Sequence, residues 1–222
     1  IWEADFTGND DPEFNSNYAL TIATDRVSFK NFLGTEARCL VKGKGFNAKT
    51  NDFFIRQSGG TISSIVEWRP FKESGGQLRI NGLVKNTSLK GIFQSFQNFN
   101  QNELTDKNLS GNLNANGEIR IDFNPEFDIL YENILADIEF KVKDGNLINF
   151  KTLDALRRFT EVEKLSNIKF GELTNRVRIA NKMIIIPEMT LENSALTLKV
   201  EGTNGFDGKM NFLIQMQLRE LL

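Results

Sequence analysis

The residues of this chain that could do chemistry are few, and their surroundings do not prepare them for it. Its 222 residues include no histidine, which removes the commonest general acid or base at neutral pH, the commonest metal ligand and every His-dependent triad. Two acid pairs, Asp10-Asp11 and Glu161 with Glu163, could be offered as glycosidase carboxylates, but a loop or a solvated helix gives no reason for a raised pKa. The glycine clusters Gly43-Lys44-Gly45, Gly59-Gly60 and Gly75-Gly76 match neither a Walker A loop nor a dinucleotide fingerprint opening a helix, and they read as turns. Cys39 is the single cysteine, so no intramolecular disulfide, redox pair or cysteine-rich zinc site can form within the chain. Lys42, Lys44 and Lys49 make a mildly basic patch, either a solvated strand edge that discourages aggregation or a seat for an anionic lipid headgroup. The expectation is a protein that is not an enzyme, with no catalytic residue, no metal and no cofactor.

Composition narrows the partners. Lys and Arg number 27 against 29 Asp and Glu, a net charge of −2, so the footprint that neutralises a phosphate backbone is missing and nucleic acid is not expected. There are 19 Phe against 2 Trp and 2 Tyr, which supplies apolar area without the polar handle carried by Tyr and Trp. No run of about 18 apolar residues is present, so a membrane anchor is not expected in the chain itself. The beginning at Ile1 and the abrupt stop at Leu221-Leu222 suggest an excerpt of a longer protein.

The elements that must position any site are strands. Residues 1–17 are polar and acidic and read as a loosely ordered approach, and 18–222 as one β-rich domain. Alternation around Leu20 and Ile22, then Val27 and Phe29, then Ala37, Cys39 and Val41 predicts three short strands, with Gly43 and Gly45 marking a bend before Phe53, Phe54 and Ile55. Ile62, Ser64, Val66 and Trp68 share a face of the next strand, and Leu78, Ile80, Gly82 and Val84 form another. Leu89, Ile92, Phe93, Phe96 and Phe99 collect on one face of a helix capped by Thr87 or Ser88, either a core-facing helix or a greasy flap over a lipid site. Asn116-Gly117 predicts a hairpin turn whose return arm carries Ile119, Ile121 and Phe123 and ends at Pro125.

Residues 134–143 alternate strictly and predict the clearest strand, with Ile138, Phe140 and Val142 on its apolar face. Leu153, Leu156 and Phe159, followed by a Thr160–Glu163 capping box, predict a second short helical segment. Strands return at Val177 and Ile179, at Met183 to Ile186 halted by Pro187, at Leu196, Leu198 and Val200, and at Phe212, Ile214 and Met216. The turns between them are expected at Asn181-Lys182 and Thr203-Asn204-Gly205. The fold class is therefore mainly β: a long antiparallel meander with two short helical segments.

One stretch carries a family resemblance. A strand leading into Asp144-Gly145-Asn146-Leu147, then Phe150, Leu153 to Phe159, Ile168-Lys169-Phe170, Ile186-Pro187-Glu188-Met189, Asn193-Ser194-Ala195 and a closing Gly202 follow the order seen in the AsmA-like C-terminal region. Leu109-Ser110-Gly111 and the Phe-rich helix add to it, while Lys151 stands where that family commonly has Pro. The chain resembles the large AsmA-like proteins of Bacteroidetes-type bacteria over about residues 18–220, most diagnostically over 134–218. The resemblance implies a sheet curled into a taco-like apolar groove, related to bridge-like lipid transfer proteins. It also implies a periplasmic location, anchored to the inner membrane by a segment outside this chain, a role in outer-membrane biogenesis, and a phospholipid or other envelope lipid as partner, with envelope proteins alongside.

On that reading the groove is lined by Ile119, Ile121, Ile138, Phe140, Val142, Leu196, Leu198, Val200, Phe212, Ile214 and Met216. The competing expectation from the same residues is an ordinary closed core, in a structural or adhesive module that binds protein partners without lipid.

Overall fold

The computed structural model describes residues 16–71, 75–100, 102, 104–151, 166–192 and 196–218. Twelve strands form one antiparallel sheet: β1 Asn17–Phe29, β2 Phe32–Lys44, β3 Asn47–Thr50, β4 Phe53–Gln57, β5 Gly60–Pro70, β6 Gly76–Ser88, β7 Leu109–Phe123, β8 Leu135–Ile148, β9 Asn167–Ala180, β10 Met183–Glu192, β11 Leu196–Gly205 and β12 Met210–Leu218. The order along the sheet follows the chain, with β4 taking over from β3 between β2 and β5. The mainly β, antiparallel meander expected from alternation is the observed architecture.

The N-terminal part has fewer and longer strands than alternation suggests: β1 and β2 pair from Asn17–Lys44 to Phe29–Phe32 around a tight turn at Lys30-Asn31. Asn116-Gly117 is no hairpin turn. β7 runs straight through it because Gly82 of β6 and Ile138 of β8 both pair with Gly117, so two flanking ladders override the local turn preference. Asp144-Gly145 is likewise interior to β8, where Asp144 takes a positive φ and the β7–β8 register shifts between Ser110 and Asn112. Nor does Pro187 stop β10. It sits where the β10–β11 register shifts between Ile186 and Met189, and β10 pairs with β9 only from Met183–Ala180 to Ile185–Arg178. A residue without an N–H cannot extend that ladder. Asn181-Lys182 is a turn with both residues at positive φ, as expected, whereas Thr203-Asn204-Gly205 lies in β11 and the turn follows at Phe206-Asp207-Gly208.

The first helical segment is α1, Leu89–Ser95, and the Ser88 hydroxyl accepts from the Gly91 N–H. The helix is shorter than its periodicity suggests because Gln97, Asn98 and Phe99 all take positive φ. Phe99 thereby folds back, edge-on to Phe93 and stacked on Phe96. The second helical segment, residues 153–165, lies outside the described residues, as do the pair Glu161 and Glu163 and all but the last residues of the 1–17 approach.

Candidate functional site

Pairing brings the apolar residues of successive strands into rows across one face. Val66, Ile80, Ile119, Ala136, Ile179 and Ile184 are consecutive cross-strand partners. In the next row Gly117 lies opposite Ile138, and Ile138 opposite Val177. Farther along, Leu113 pairs with Val142 and Val142 with Leu173. On the last strands Leu198 pairs with Met216, Val200 with Ile214 and Gly202 with Phe212. None of the residues paired in these rows carries a charge, so the rows offer mainly hydrocarbon.

The predicted lining residues divide into two groups. Val142 and Leu198 are buried within a cluster with Ile92, Leu113, Leu147, Ile168, Phe170, Leu173 and Leu191, and Phe140, Ile214 and Met216 pack against it. Leu198 is 0% exposed although it stands on the strand next to the sheet edge, so this half of the face is sealed. Ile119, Ile121, Ile138, Val200 and Phe212 stand outside that cluster and are only partly buried. Leu196 pairs through its backbone with Leu218, and its side chain lies outside the described part. Sequence reasoning did not include Val66, Ile80, Val177, Ile179 and Ile184 in the lining, although the same alternation puts them on the same face.

The opposite face is ionic. Glu67 takes Lys49 at 2.7 Å and Arg69 at 2.8 Å, Lys141 meets Glu172 at 2.9 Å, and Asp137 accepts from Arg176, whose second nitrogen donates at 2.6 Å. The hydrogen bond from Arg176 holds the Asp137 carboxyl below its usual range, and Lys49 does the same for Glu67 and Lys141 for Glu172. A lowered carboxylate pKa contributes stability that is complete above the unfolded value, about 4, and is lost as pH falls through the folded value. Thermal melts should therefore be nearly flat from about pH 7 to 5 and fall below about pH 4, and Asp137→Asn with Glu67→Gln should shrink that acid loss. An unchanged acid slope in the double variant would remove these pairs as its source.

Two shallow depressions mark this face. One of about 270 Å³ is bordered by Lys42, Lys44, Lys49 and Arg69 around Glu67, which places the basic patch beside the pair-forming glutamate. The other, about 530 Å³, lies among Ser63, Ile65, Asn81, Leu83, Asn116 and Glu118. Cys39 sits opposite Ile22, and burial, then Asp52, pushes its thiol pKa up. That is the reverse of an activated nucleophile. Among the described residues no group of three or more His, Cys, Asp or Glu could hold a metal ion, and no helix is long and apolar enough to cross a membrane.

No family model matches the chain. No curated protein and no solved structure matches it either. The geometry of the uncharged face, with one half sealed and the other half only partly covered, is therefore what the functional reading stands on.

Proposed function

We propose that this chain is a non-enzymatic, AsmA-like segment of the periplasm that accommodates or guides lipid along the uncharged face of its sheet in outer-membrane biogenesis. A membrane anchor belongs, in this reading, to a part of the protein outside the chain. The supporting observation is that Ile119, Ile121, Ile138, Val200 and Phe212 are aligned on a face without charge yet stand outside the sealed cluster. Acyl chains laid there would replace water at about 0.8 kcal/mol per buried CH₂. Headgroups would stay at the solvated edge.

A second reading, a structural module that binds protein partners, is favoured by the edge strand β1. Its thirteen residues pair on one side only among the described residues, and they are exposed except at Val27. Such an edge can accept a strand from another chain.

Native mass spectrometry with lipid extraction separates the two. The protein purified from bacterial membranes should carry phospholipid, and an Ile138→Glu variant with an unchanged melting temperature should carry none, because Ile138 faces the open half opposite Gly117. A lipid-free wild type, or equal lipid on both proteins, would sink the groove reading.

A further inference from the structure

We infer that the basic depression on the ionic face is a binding site for a phosphate group. Sequence alone leaves Lys42, Lys44 and Lys49 two roles, guards on a strand edge or a seat for an anion. The sheet order removes the first. Lys42 and Lys44 stand on β2 and Lys49 on β3, each paired on both sides, while the edge strand β1 contains no lysine. Lysines that discourage edge-to-edge pairing do so from the edge itself. Pairing here also sets like charges face to face: Lys42 lies directly opposite Lys49, an arrangement that is destabilising on its own.

One anion is built in, and it does not suffice. Glu67, opposite Lys49 on β5, takes Lys49 at 2.7 Å and Arg69 at 2.8 Å, and its own side chain is only 17% exposed. These bonds fix two cations at the rim of the depression of about 270 Å³ and leave most of their donors free, since an ammonium carries three and a guanidinium five. Lys42 and Lys44 border the same depression with no carboxylate partner among the described residues. Four cations therefore share one carboxylate, in a chain whose net charge is −2. Arg79 and Arg120, next along the row, again lie directly opposite each other and share Glu118 at 3.5 and 3.4 Å, so they add to the surplus. On β8 and β9 the same face is balanced, Lys141 meeting Glu172 and Arg176 meeting Asp137. At about 4.8 Å between strands, Lys42, Lys49 and Glu67 span about 10 Å, so one bound group lies within reach of all these cations. A carboxylate would bring a single charge to that surplus. A phosphate monoester brings about two, with three acceptor oxygens, and arginine pairs with it in a bidentate fork. The site lies on the face opposite the apolar rows, so it goes beyond the lipid reading and stands without it.

The test is titration calorimetry of the whole chain with glycerophosphate at low salt. Wild type should bind, and raising salt tenfold should weaken binding by at least about threefold. A Lys42→Gln, Lys44→Gln variant should bind at least about tenfold more weakly. Both lysines are exposed and outside the ion pairs, so its fold is not at stake. A Lys141→Gln, Lys143→Gln variant, which loses the same charge from the balanced part of the face, should stay within about twofold of wild type. Acetate should bind at least about tenfold more weakly than glycerophosphate. In a second arm the same proteins are floated with phosphatidylcholine vesicles containing phosphatidate. Flotation that the Lys42→Gln, Lys44→Gln variant loses assigns the phosphate to a lipid headgroup, and calorimetric binding without flotation assigns it to a soluble phosphorylated ligand. A wild type that binds neither probe, equal losses in the two double variants, or acetate binding as tight as glycerophosphate would each overturn the proposal. The Ile138→Glu variant should bind glycerophosphate like wild type, so that failure of the groove and failure of this site read differently.

Discussion

Replacing Ile168 with alanine is expected to lower the unfolding free energy by about 2–5 kcal/mol. Ile168 is 0% exposed, lies on β9 opposite Leu147, and belongs to the cluster that joins β7, β8 and β9 to Leu191 of β10 and Leu198 of β11. Deleting three carbons there removes transfer free energy and leaves a cavity whose walls belong to several strands and therefore cannot all close in. The matching change at Ile185, exposed on the opposite face, should stay within about 0.5 kcal/mol. Urea unfolding of the two variants checks the difference. If Ile168→Ala cost as little as Ile185→Ala, the sealed half of the face would not be sealed, and the contrast between closed and open halves would collapse with it.

Gly75→Ala is the second large effect, expected at about 2–4 kcal/mol. Gly75 adopts φ +76, and its carbonyl accepts from the Phe71 N–H at 3.0 Å as the chain turns into β6. A Cβ at that position would run into the carbonyl oxygens of Phe123 and Asn124, which are backbone atoms and cannot rotate away. Two other glycines separate the causes. Gly59 has φ +84 with nothing near its missing Cβ, so Gly59→Ala should cost about 1 kcal/mol from conformation alone. Gly82 has open space and no positive φ, so Gly82→Ala should be nearly neutral. Thermal or urea unfolding should return the order Gly75, Gly59, Gly82, and equal losses at Gly75 and Gly59 would remove the steric part of the argument.

Much of this was legible in the sequence because alternation is a period-2 signal and burial of one face rewards it. Ile119, Ile138, Phe212 and Ile214 share their face in the structure as alternation predicts. What alternation could not tell is which part of that face is covered, since Val142 and Ile138 differ in exposure without differing in pattern. Cover comes from residues outside the strands, Ile92 on α1 and Phe150 just after β8, which strand alternation does not describe. Turn signals misled where the strand continued past them: Asn116-Gly117, Asp144-Gly145 and Pro187 all look like ends and all lie inside strands, the first paired on both sides and the other two at register shifts. Local turn preference amounts to about a kcal/mol, which pairing on both sides exceeds. At Asn181-Lys182, where the chain reverses between β9 and β10, the same chemistry predicted correctly.

The neighbour-by-neighbour strand order has a kinetic consequence. Each strand hydrogen-bonds to those adjacent in the chain, the short β3–β4 interruption aside, so few contacts require distant segments to find one another first. Rates of folding fall as the sequence separation of native contacts grows, and closing each hairpin here involves only a short loop outside the β6–β7, β7–β8 and β8–β9 connections. The sheet can assemble by accretion, one hairpin templating the next from either end, so that a nascent chain would bury its apolar face progressively as it emerges.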